Sequence, residues 1–188
     1  MAGIHMACLL TLFLASGGAS AQTIEIKGLR YGVGVEELRL TYPGIDELYR
    51  SGDDANKATQ FLRGTFTVGG VQFGEVALEF RDGTDGSSTP RWTLEGFKFD
   101  FVAAGFDDIR AALRMKYPTY PKELCTRSQI QTPAGVAYTQ VQCTYTDAKS
   151  ILVITKYGSD IETGLARLLT PRKFLELERN RAKKNLDI

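Results

Sequence analysis

The chain has 188 residues, with 23 Lys and Arg against 22 Asp and Glu, a formal net charge of +1 and one histidine. That balance provides no general affinity for nucleic acid, and 43% hydrophobic residues without a long low-complexity run describe a folding chain rather than a disordered one. No apolar run reaches the roughly 20 residues that a membrane-spanning helix needs.

The first segment is MAGIHMACLLTLFLASGGASAQ. Ala7 to Ala15 is almost wholly apolar, small residues follow, and Ala19-Ser20-Ala21 has the A-x-A form of a cleavage site. The expectation is a signal peptide over 1–21 and one mature α+β domain over 22–188. The segment before the apolar run has no Lys or Arg, only His5. Cys8 lies inside the apolar run without the residues that precede a lipid anchor, so it is expected to leave with the signal. The plainer alternative is a buried N-terminal strand or helix. Export implies the periplasm, with secretion as the alternative, and an oxidising compartment for what remains.

Next, GVEELRLTYP (34–43) and GFDDIRAALRMKYP (105–118) echo each other: glycine, paired acids, an arginine, a closing Tyr-Pro. Each reads as a helix with acids in the first turn, where the helix dipole favours them, and proline as the stop. In the second, Phe106, Ile109, Leu113 and Tyr117 mark one buried stripe. Between them GTFTVGGVQF predicts a hairpin on Gly69-Gly70, with Val68 facing Val71 and Phe66 facing Phe73. EVALEF continues the second arm, RDGTDGSSTP is a long turn, and RWTLEGFKFDFV is a third strand. Its apolar phase changes at Glu95-Gly96, which predicts a β-bulge.

CTRSQIQTPAGVAYTQVQC closes on Cys125 and Cys143 around Pro133-Ala134-Gly135. A hairpin on that turn sets Cys125 against Cys143 and Ile130 against Tyr138, within disulfide reach. No Cys-x-x-Cys spacing or neighbouring histidine favours a metal-binding or reactive pair. SILVITKY (150–157) is a further strand, GLARLLT an extended segment, and a helix over 170–186 starts with Thr170 as N-cap and Pro171 in its first turn. That last helix holds six Lys/Arg against two Glu over PRKFLELERNRAKKN, read as a solvated face with cations towards its C-terminal end.

The order helix, strand, strand, strand therefore occurs twice, over 24–103 and 104–169, giving antiparallel sheet packed by helices. With KGLRYGVGVEEL entering the first helix, this arrangement resembles the beta-lactamase-inhibitor-protein-like fold and the small periplasmic proteins of the outer-membrane-assembly lipoprotein type. Those families carry a Gly-Met-Thr-type start, and Gly32-Val33-Gly34 stands at that place without the Met. The resemblance implies a protein partner bound by a sheet face or its loops, and transfers no catalytic residue.

Catalytic chemistry has little material here. Once His5 is removed no imidazole remains for a Ser-His-Asp or Cys-His pair or for a histidine zinc site. Asp53-Asp54, Asp82 with Asp85, and Asp107-Asp108 are the carboxylates that a histidine-independent hydrolase would use. DGTDGSS lacks the ligand alternation of a calcium loop, and neither GxGxxG nor GxxxxGK[ST] occurs. No cofactor and no metal are expected. The leading expectation is a non-enzymatic, protein-binding module whose partner is another envelope or secreted protein. An inhibitor or immunity protein presenting the 82–90 loop to a hydrolase or toxin is the alternative, and a carboxylate hydrolase the second. The residues expected to meet a partner are Arg127, Tyr138 and Gln140 on the hairpin, with Asp82 and Asp85 of the 82–90 loop.

Overall fold

The computed structural model describes residues 23–186 apart from 46, 51, 85–90 and 132–134, and omits the side chains of 65 and 181–186. The expected signal segment, Asp85, and the Pro133-Ala134 turn lie outside the described residues. The chain begins with a short ribbon, β1 (Glu25–Ile26) and β2 (Leu29–Arg30), then helix α1 (Val35–Thr41). β3 (Tyr49–Arg50), β4 (Lys57–Val68), β5 (Val71–Asp82) and β6 (Trp92–Val102) follow, and a 3₁₀ turn (Ala103–Gly105) leads into α2 (Phe106–Lys116). Then come β7 (Glu123–Gln131), β8 (Ala137–Thr146), β9 (Ile151–Thr155), β10 (Thr163–Leu169) and α3 (Pro171–Leu186).

β3 to β10 form one antiparallel sheet in the order β3-β4-β5-β6-β10-β9-β8-β7. The fold is thus α+β. The predicted β4–β5 hairpin has the expected register, Val68 on Val71 and Phe66 on Phe73. The predicted bulge is also present: Glu79 faces Gly96 while Phe80 faces Leu94, leaving Glu95 as the extra residue. A second irregularity, between Arg63 and Phe66, carries no comparable phase change in the sequence. β10 is the segment expected only to be extended. It lies between β6 and β9 and joins the two meanders into a continuous sheet.

Alternation gives the sheet two buried faces in its middle. On one, Phe97, Phe99, Ala166, Leu168, Leu152 and Ile154 pack with Val35 and Leu38 of α1 and Phe106, Ile109 and Leu113 of α2. On the other, Ile151, Val153 and Leu169 meet Phe174 and Leu177 of α3. This second layer explains why all five residues of β9 are buried. Thr170 caps α3 as expected, its hydroxyl accepting from the Lys173 amide at 3.2 Å.

The echoed tyrosines do matching work. Tyr42 and Tyr117 end α1 and α2, their amides bonded to the carbonyls of Leu38 and Leu113. The Tyr42 hydroxyl then donates to the Lys27 carbonyl, and the Tyr117 hydroxyl to that of Glu25 at 2.8 Å. Both helix ends are thereby fastened to the same short ribbon.

Candidate functional site: the disulfide hairpin and its open edge

β7 and β8 pair over nine residues, from Glu123 on Tyr145 to Gln131 on Ala137. Cys125 and Cys143 face each other and are bridged, with their Cα atoms 4.1 Å apart. A separation this short belongs to the non-hydrogen-bonded type of antiparallel pair. It follows that the main-chain groups of Leu124, Thr126, Ser128 and Ile130 bond to β8. Those of Cys125, Arg127 and Gln129 point the other way, into the open edge of the sheet.

That edge is long. β7 is the terminal strand of the order, and the other terminal strand, β3, has only two residues. Seven of the nine β7 residues are exposed, and Leu124 shows 66% of its surface. Sheet edges are ordinarily blunted by proline, lysine or brevity, and ELCTRSQIQ has neither proline nor lysine.

The base of the hairpin is held firmly. Arg110 of α2 donates to Glu123 from Nε at 2.9 Å and from Nη2 at 3.2 Å, and Arg114 Nε donates at 2.7 Å. The Tyr145 hydroxyl donates to the same carboxylate at 2.7 Å. Burial works to raise the Glu123 carboxyl, but hydrogen bonds from Arg110, Tyr145 and Arg114 outweigh it and bring it down to about 2. Burial, then the hydrogen bond to Glu123 and the charge of that carboxylate, push the Tyr145 phenol up. Glu123 and the two sulfurs lie within 4.8 Å of one another, a grouping with metal-like spacing. The donor chemistry does not fit a metal: the sulfurs are bonded to each other and the carboxylate is saturated with N–H and O–H donors.

The residues expected to form one partner site are distributed differently. Gln140 is engaged in structure: its Nε2 donates to the Tyr157 carbonyl at 2.5 Å and its Oε1 accepts from the Tyr157 amide at 3.0 Å. Tyr138 shares that face and meets the Tyr157 ring edge-on, with centroids 5.0 Å apart. Arg127 pairs with Val141, one residue out of phase with Tyr138 and Gln140, and so projects from the opposite face. Asp82 pairs with Trp92 at the start of β6, whereas Val102, at the end of β6, faces the start of β10 on the side of the Gln140–Tyr157 contact. β5 and β8 are also four strand spacings apart, about 19 Å. The sheet order therefore does not place Asp82 beside the hairpin residues. The remaining member, Asp85, lies outside the described residues.

Asp82 instead organises its own turn. Its Oδ1 accepts from the Thr84 amide at 2.9 Å and the Arg91 amide at 3.0 Å, and the Thr84 amide leads the contacts that hold its carboxyl low. Asp54 accepts from Lys57 at 3.0 Å, and Asp107 from Arg110 at 3.1 Å. These three candidate carboxylates all hold local structure. What sequence reasoning missed is the edge itself: the exposure of β7 depends on β10, β9 and β8 filling the sheet on its other side. No protein-family model, no curated protein and no solved structure matches this chain.

Proposed function

We propose that this chain is an exported, non-enzymatic binding module that receives an extended segment of another envelope or secreted protein along β7. The observation that carries this reading is the nine-residue open edge, exposed on both faces and held by a disulfide and by Glu123 at its base. A partner strand would gain main-chain hydrogen bonds from Cys125, Arg127 and Gln129, and exposed side chains such as Leu124 would supply selectivity. The order α1-β3-β4-β5-β6 then α2-β7-β8-β9-β10, with Tyr42 and Tyr117 each tying a helix end to the β1–β2 ribbon, supports the tandem-unit reading and its likeness to the beta-lactamase-inhibitor-protein-like and outer-membrane-assembly lipoprotein folds. The Cys125–Cys143 bridge and the apolar leader support residence in the periplasm.

The test removes an outward N–H without touching the β7–β8 ladder. Arg127→Pro does this, since proline is tolerated on an edge strand where its nitrogen faces solvent. Partners are captured from periplasmic extract with wild-type and Arg127→Pro protein of matched thermal stability. Loss of a captured partner with the proline variant, and its retention with Arg127→Ala, is the expected result. Equal recovery with all three proteins overturns strand addition at β7.

A further inference from the structure

The sheet face beneath α3 carries a second feature, independent of the hairpin. β6 and β10 set Lys98 directly opposite Arg167. Like charges facing each other across a ladder repel. Among the described residues Lys98 has one weak partner, Asp100 at 3.8 Å. Arg167 has less: its Nε is buried with no hydrogen-bond acceptor. A buried donor of this kind ordinarily answers to a water or an ion.

A cleft of about 370 Å³ opens at this point between α3 and the sheet. Lys98, Arg167 and Lys173 contribute to its wall, as do Leu169 and Leu177. Lys173 is already committed, at 2.6 Å from Glu79 and 3.0 Å from Glu95, and Arg81 closes that network at 2.8 Å from Glu95. Glu79 and Glu176 line the cleft as well, and among the described residues no ion pair holds Arg167 or Glu176. The volume lies within the range of small-molecule sites. The wall combines a guanidinium fork, suited to two oxygens of one planar or tetrahedral group, with an apolar side.

We propose that this cleft binds a small organic anion, its carboxylate or phosphate head held by Arg167 and Lys98 and its short apolar body lying against Leu169 and Leu177. The head supplies the acceptor that Arg167 Nε lacks and relieves the Lys98–Arg167 repulsion. The body covers the part of Leu177 that remains exposed beside the packed Leu169.

Calorimetric titration of the whole mature chain at low salt tests this with four probes: octanoate, octyl phosphate, 1-octanol and inorganic phosphate. Octanoate or octyl phosphate should bind at least about tenfold more tightly than octanol and than inorganic phosphate. Arg167→Gln and Lys98→Gln should each weaken the octyl anions by about tenfold. Lys98 is half-exposed, so its variant remains informative if Arg167→Gln does not fold. Glu176→Gln should tighten them. Binding of octanol as tight as octanoate, of inorganic phosphate as tight as octyl phosphate, or affinities unmoved by Lys98→Gln overturn the assignment, as does failure of both octyl anions to bind.

Discussion

Arg110 reaches from α2 to Glu123 at the root of β7, its Nε 2.9 Å from the carboxylate, and so ties the core helix to the strand that forms the open edge. Both side chains are largely buried, at 17% and 13% exposure. Truncating one partner of such a pair leaves the other charge uncompensated.

Glu123 should make stability depend on acid. Its carboxyl is depressed from the ordinary 4.5 to about 2 in the folded chain, so its contribution is complete above about pH 4.5 and disappears as the pH falls through about 2. Urea unfolding at pH 7, 4.5 and 2.5 is expected to show wild-type stability falling across that window. Glu123→Gln should be less stable at pH 7 by about 2–3 kcal/mol and should show a shallower loss between pH 4.5 and 2.5. Parallel pH profiles for the two proteins would remove Glu123 from this role.

The β4–β5 turn offers an internal comparison. Gly69 and Gly70 both have positive φ, +59° and +80°. A Cβ on Gly69 would lie 2.4 Å from the Asp108 carbonyl oxygen at the start of α2, whereas one on Gly70 meets nothing within 4 Å. Gly70→Ala should therefore cost about 1–2 kcal/mol for backbone conformation alone, and Gly69→Ala at least about 3 kcal/mol. Equal thermal shifts for the two variants would mean that α2 does not pack on this turn.

Gln140 is expected to behave as a structural residue. Gln140→Ala leaves both main-chain groups of Tyr157 without their side-chain partner and should cost about 1–3 kcal/mol. Tyr138→Ala loses chiefly an edge-on aromatic contact and should cost about 1 kcal/mol. Thermal unfolding of both variants checks the order, and a stable Gln140→Ala protein would return that side chain to partner recognition.

Export and oxidation can be read together. Protein recovered from the periplasm is expected to begin at Gln22, and after denaturation without reductant to present no titratable thiol, with Cys125 and Cys143 bridged. Intact mass and thiol titration decide this. A species retaining Met1, a lipid on Cys8, or two free thiols would each remove part of the proposal.

Much of this molecule was legible locally. The registers of the Gly69-Gly70 and Cys125–Cys143 hairpins, the bulge at Glu95, the buried stripe of α2 and the Thr170 cap are all set by residues near one another in the chain. Turn chemistry and apolar periodicity suffice for such features because the interacting groups are joined by a short stretch of backbone. The place of β10 was decided otherwise. Its sequence says that it is extended, but nothing local says that β6 and β9 are its neighbours. That one insertion fixes the sheet order, leaves β7 as an edge, separates Asp82 from the hairpin, and sets Arg167 against Lys98 beneath α3. Pairings between strands distant in sequence are chosen by which arrangement buries the most apolar surface with its backbone hydrogen bonds satisfied, and that choice belongs to the whole chain at once.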